Sequence, residues 1–214
     1  MKKPRILRAM LLALCAAICL MSGSFTVQAQ TAQTETTDTE TNLDTTLFLI
    51  VGTNQDVAES RMPAALDPVV RQLRAALPFK NYRLAATLLN RVKNEGRLDL
   101  SWVGGPLASA IGTSLSAATP SFSQFKVRQV KLVRNSEGQQ VVQMTGFNFG
   151  ARIPIQSQTI AANGTVLPNF NHETTGLATD ISMREGEPVI VGTLNIGPSG
   201  DAIILVVSAK RTQK

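Results

Sequence analysis

Ala202-Ile203-Ile204-Leu205-Val206-Val207 is the stretch on which the architecture turns. It is apolar at every position, so as a strand it presents apolar side chains to both faces of its sheet. A strand buried on both faces belongs in the middle of a covered sheet. Left as an open edge it would be a template for aggregation, so a neighbouring strand is expected to cover it.

Working outward, the apolar pattern predicts three closing strands, at about 177–183, 189–194 and 202–209. Arg184-Glu185-Gly186-Glu187 and Gly197-Pro198-Ser199-Gly200 supply the turns between them. Upstream, 122–134 and 139–149 read as two strands joined at Asn135-Ser136-Glu137-Gly138, a hairpin signal. The apolar residues of the first change phase, from Phe125 and Val127 to Val130 and Leu132. A one-residue slip reverses the face of a strand, so a bulge is expected near Arg128-Gln129. On this reading the slip divides the basic residues Lys126, Arg128, Lys131 and Arg134 between faces. The stretch 150–173 reads as the loosest part of this half. Ile153, Ile155 and Ile160 mark a strand there, and Asn163-Gly164-Thr165 and Pro168-Asn169 mark turns.

The first half carries the one clear helix. Leu66, Val69, Val70, Leu73 and Leu77 recur at helical spacing, with Arg71, Gln72 and Arg74 on the other side. Asp67-Pro68 reads as a cap followed by proline in the first turn, and Pro78 as the stop. Leu47-Phe48-Leu49-Ile50-Val51 is a short buried strand before it. The alternation of Tyr82, Leu84, Ala86 and Leu88 is a strand after it. Asn94-Glu95-Gly96 is a turn, and 98–103 reads as the returning strand. The expectation is a βαββ unit with the helix on one face of a small sheet.

Together these elements predict an α+β protein: the small βαββ unit at 47–104, a Gly/Ala/Ser-rich connector at 105–121, and an antiparallel β-rich, sandwich-like domain at 122–214. In the connector, Leu107, Ile111 and Leu115 fall one helical turn apart. Before these, 30–46 is Thr-rich and acidic without apolar periodicity, and reads as a disordered linker.

The first 29 residues read as a signal peptide. Lys2, Lys3, Arg5 and Arg8 precede an apolar run from Ala9 to Met21, too short to span a bilayer comfortably. Val27-Gln28-Ala29 offers small residues for a cut after Ala29. Leu14 before Cys15 and Ile18 before Cys19 do not suit a lipoprotein acceptor. Both cysteines of the chain lie in this leader, so the mature chain is expected to have no disulfide, thiolate catalysis or cysteine-bound metal. Removing the four leader cations from the formal charge of +6 leaves +2. The expected location is the periplasm or the extracellular space, with no stable transmembrane helix after cleavage.

Two stretches resemble a known family. Gly150-Ala151-Arg152-Ile153-Pro154-Ile155-Gln156-Ser157-Gln158-Thr159, followed by a Gly-Thr turn and Thr175-Gly176-Leu177, resembles part of the core of outer-membrane secretins of secretion and pilus systems. Met183-Arg184-Glu185-Gly186-Glu187-Pro188-Val189-Ile190-Val191-Gly192 is similar to that family's Gly-Glu-x-Val-Val-Ile-Gly-Gly hairpin. The 67–103 stretch is similar to the ring-building modules that precede such cores. Thr193 stands where the family has a second glycine, and a closing Pro-Leu-Gly-Asp-Ile-Pro-like run is absent. The resemblance therefore implies architecture and compartment, and not pore formation.

Side chains that could carry chemistry are few. His172 is the sole histidine and lies in a stretch that reads as a loop. No Gly-x-Ser-x-Gly elbow accompanies it, and a metal would have to be held by carboxylates and amides. Asp56 with Glu59, and Glu185 with Glu187, are the close carboxylate pairs that acid–base work could use. Trp102 and Tyr82 lie on expected strands and read as packing residues. No dense basic run marks a nucleic-acid footprint. The reading is a non-enzymatic, exported cell-envelope protein acting by protein–protein contact. It has an envelope partner or self-association, and no catalytic, cofactor or metal residues are assigned. A small hydrolase using carboxylates alone, or a binder of anionic envelope polymers, are the alternatives, and a small-molecule ligand stays open.

Overall fold

The computed structural model describes residues 41–56, 62–104, 120–160, 166–196 and 200–212, the side chains of 155–160 and 166–170 aside. The leader, the linker up to residue 40, Glu59 and most of the expected connector lie outside these residues. The chain is α+β and dominated by antiparallel strands. In order they are β1 (Asn42–Thr53), a 3-10 turn (Ala64–Leu66), α1 (Asp67–Ala76), β2 (Asn81–Lys93), β3 (Leu98–Val103), β4 (Phe122–Val127), β5 (Gln129–Arg134), β6 (Gln140–Ile160), β7 (Val166–Arg184), β8 (Val189–Ile196) and β9 (Asp201–Arg211). β1 starts at Asn42, five residues before the strand expected at Leu47, because Leu43 and Thr45 are buried in register with Val92 and Asn90.

Two sheets form. The first has the order β2-β1-β9-β8. Its middle strands are the two runs that are apolar on both faces, and Leu205 pairs with Leu49 at their centre. The second sheet holds β3, β4, β5, β6 and β7. β4 and β5 lie end to end along one edge of β6, and β7 runs along the other. Leu47, Leu49, Val51, Ile203 and Leu205 of the first sheet share a buried cluster with Phe125, Val130, Met144, Phe147 and Phe149 of the second. The other face of the first sheet, Phe48, Ile50, Tyr82, Ile204 and Val206, is covered by Leu66, Val69 and Leu73. The layers are therefore helix, sheet, sheet.

The expected βαββ sheet is corrected at its last strand. β3 does not return beside β2; it crosses to the second sheet and pairs with β4. The stretches 47–104 and 122–214 consequently share both sheets, since β9 also sits beside β1. The crossing happens at the expected turn. Asn94 N–H donates to the Thr41 carbonyl at 2.8 Å, Glu95 N–H to the Val130 carbonyl at 2.8 Å, and Val130 N–H to the Gly96 carbonyl at 2.9 Å. Buried Asn94 also accepts the Leu132 N–H on its side-chain Oδ1 at 2.8 Å. The turn is thus stitched to β5 of the second sheet. Polar groups held between sheets must be paired in this way to offset their desolvation.

The second crossing joins β7 to β8 and has the same logic. Glu185 N–H donates to the Gln140 carbonyl, and Gly186 N–H to the Ala209 carbonyl at 2.7 Å. Gly186 takes a φ of 80°, a conformation glycine adopts without a side-chain clash.

The phase change in 122–134 falls where the sequence places it. β4 ends at Val127, β5 begins at Gln129, and alongside them β6 shifts its register against β7 between Met144 and Phe147. The consequence for the cations differs in part from the expectation. Phe125, Val127 and Val130 all point into the core, so Lys126, Arg128 and Lys131 stay together on the outer side, while exposed Arg134 shares the alternation of Val130 and Leu132. Residues 150–160 and 166–173 are likewise not loose: β6 and β7 continue as one ladder out to the pair Ile160–Val166, and the expected turn at Asn163-Gly164-Thr165 lies outside the described residues.

Candidate functional site

Among the described residues, those singled out by their chemistry do not converge. His172 is exposed on β7, opposite Pro154, and lies in a strand rather than a loop. Asp56 is exposed after β1. Glu185 and Glu187 do not form a working pair. Glu187 is exposed, whereas Glu185 accepts the Arg211 backbone N–H at 2.9 Å and its Nε at 2.9 Å. Burial pushes the Glu185 carboxyl up, but these bonds and the guanidinium charge outweigh it and leave it below its ordinary value. Among the described residues no three histidine, cysteine or acidic side chains gather as a metal site would need.

Tyr82 is structural. Its hydroxyl donates to the Leu73 carbonyl in the last turn of α1 at 3.0 Å, a second bond beside the one that carbonyl accepts from the Leu77 N–H at 2.8 Å. Its ring meets Phe79 edge-on at 6.2 Å. Burial raises its pKa. Trp102 is half-buried on β3 and packs against the inter-sheet core.

The sequence reading missed a polar cluster where the two ends of the fold meet. Arg91 Nε donates to Asp44 at 2.7 Å, and Thr212 Oγ1 to the same carboxylate oxygen at 3.0 Å. The Arg91 hydrogen bond holds the Asp44 carboxyl below its ordinary value against burial, with help from Thr212 and the charge of Lys210. Thr212 N–H donates to the Asn42 carbonyl at 2.8 Å. Asp44 was hidden because its acidic, Thr-rich neighbourhood reads as linker.

What the fold offers outward is strand edge and sheet face. The outer side of the second sheet carries Lys126 paired with Asp99 at 3.3 Å, and near it Lys131 with Glu95 of the crossing turn at 3.3 Å. Its cations are thus partly matched by acids. Val103 and Phe122 form an exposed apolar cross-strand pair at one end of that face, Val103 being 62% exposed. Past Arg152, where β4 stops, β6 pairs only with β7 among the described residues, so 153–160 and 166–173 form a two-stranded ribbon. Pro154 stands at the first step of that ribbon. A proline inside a ladder sits where its missing N–H would point away from its partner strand, so β6 has no donor there for a continued β4.

No family model and no curated protein matches the chain. Among solved structures it is similar to the secretin InvG of the Salmonella SPI-1 type III secretion injectisome, at 9% identity and TM-score 0.32 over 82% of this chain and 66% of that one. It is similar to PulD in the Klebsiella pneumoniae type II secretion outer membrane complex, at 11% identity and TM-score 0.31 over 81% and 39%. It is similar to PilQ, the type IV competence pilus secretin of V. cholerae, at 11% identity and TM-score 0.31 over 81% and 59%. The chain spans about two thirds or less of the length of these proteins, and superpositions this loose carry no functional argument.

Proposed function

We propose that this protein works in the cell envelope, outside the cytoplasm, as a non-enzymatic component that acts by contact with other proteins through its strands. The observation that carries the reading is the β6–β7 ribbon. A two-stranded ribbon gains little stability on its own in water, yet this one runs from Arg152 to the pair Ile160–Val166 with no third strand among the described residues. A partner that packs on it supplies the missing burial. The apolar leader followed by small residues supports the compartment.

The test is site-specific photo-crosslinking in the native host. A cross-linking residue at Asn171 or His172, both exposed on the ribbon, is compared with one at Arg71, exposed on α1. Discrete adducts from the ribbon positions and none from Arg71 are expected. Equal labelling from all three positions would end the proposal.

A further inference from the structure

We propose that the outer edge of β3 is a self-association site, where two copies of this chain join antiparallel and make one continuous sheet of their two second sheets. The inference deepens the strand-contact reading by naming a second copy as a partner, and it uses a different edge from the ribbon.

An open edge is normally blunted by proline, bulges or charge. Other open edges show such a device. β2 carries a register shift opposite Leu49 and Ile50, with Arg91 and Lys93 beyond it. β8 shifts register between Ile190 and Gly192 and follows Pro188. The ribbon edges hold Pro154 on β6 and Pro168 on β7. β3 has neither proline nor bulge: it pairs with β4 in unbroken register from Leu98 to Val103, and its one charged residue, Asp99, is matched by Lys126 of β4 at 3.3 Å. Among the described residues it has no strand on its other side.

Its side chains fit a second copy of themselves. Leu100 and Trp102 face the core side but stay half-buried. Asp99, Ser101 and Val103 are exposed on the outer side. Pairing about a two-fold axis at Ser101 sets Leu100 against the partner's Trp102, Asp99 against the partner's Val103, and Ser101 against the partner's Ser101. Every pair then joins residues of one face, as antiparallel pairing demands. The two Asp99 carboxylates are kept apart by this register, and two apolar pairs flank the axis. An isologous contact of this kind closes on itself and does not propagate into a fibre. It is small beside standard interfaces, so the association is expected to be micromolar rather than nanomolar.

Sedimentation equilibrium of the full chain as its host produces it, up to about 200 µM, is expected to show monomer and dimer. Ser101→Lys places like charges opposite each other on an exposed position and should raise the dissociation constant by about tenfold or more, while circular dichroism stays unchanged. Ser101→Thr, as the control, should leave the dimer intact. Ser101→Cys should give a disulfide-linked dimer on oxidation, above the background of the unsubstituted chain. A monomer at every concentration overturns the proposal, including one that binds a foreign strand at this edge. So does a dimer that Ser101→Lys leaves unchanged. Neither result touches the ribbon cross-linking test.

Discussion

Asn94 Oδ1 accepts the backbone N–H of Leu132 at 2.8 Å, across 38 residues of chain, while the Asn94 backbone N–H reaches the Thr41 carbonyl at 2.8 Å. One residue therefore binds the start of the first sheet to β5 of the second. Asn94→Ala leaves the Leu132 amide without this acceptor, and an unmet amide between layers costs about 1–3 kcal/mol. Urea denaturation should show that loss with an unchanged m-value. Asn94→Asp, which keeps the acceptor, should recover part of it.

Tyr82→Phe removes the hydroxyl that serves the Leu73 carbonyl at the end of α1 and keeps the ring against Phe79. The expected loss is about 1 kcal/mol. Tyr82→Ala should cost about 3–5 kcal/mol, the range for emptying a buried aromatic site. A Tyr82→Phe variant as stable as the parent would contradict the role assigned to the hydroxyl.

Gly146 has a φ of 64°, and a side chain there would meet Arg128 Cβ at 2.9 Å. Its N–H is held by the Asp180 carboxylate. Gly146→Ala adds a Cβ both to the left-handed conformation and to a crowded site, at a cost of about 1–3 kcal/mol. The fall in melting temperature should exceed that for Gly138→Ala, which is also at positive φ but has open space around it.

Acid should weaken the fold through Asp44 and Glu185. Both carboxyls lie below their ordinary values of 3.8 and 4.5 in the folded chain. Around and below those values the unfolded chain takes up protons that the folded chain does not, so stability falls as pH falls through the folded values. Above them the contribution is complete. The arginine partners are well exposed, so salt should reduce the effect. Arg91→Ala and Arg211→Ala should each flatten the acid limb of a stability–pH curve measured by denaturant titration.

The parts of the fold legible in the sequence are those set by local pattern. The two-sided apolar run of β9, the helical spacing of Leu66 to Leu77 and the phase change at Arg128 each follow from side chains close in the chain. What was not legible is pairing over distance. Asn94-Glu95-Gly96 shows a turn but not the sheet that the next strand enters, because that choice rests on hydrogen bonds to Val130 and Leu132. Asp44 looked like part of a solvated linker because its partners, Arg91 and Thr212, are remote in sequence. Lys126, Arg128 and Lys131 share a side that the sequence reading divides, because the irregularity between Val127 and Val130 does not turn the strand over. It instead corrects the phase that the apolar residues require.

The place of β9 between β1 and β8 bears on how the molecule comes into being. β1 is made before every other described strand, yet its second neighbour, Asp201–Arg211, is made after all of them, and Leu43 waits for Arg211. Until then the Leu47–Val51 backbone is bare on that side and adheres readily to other chains. Such distant pairing is slow to form. The central layer of the molecule therefore stays incomplete until β9 has been made.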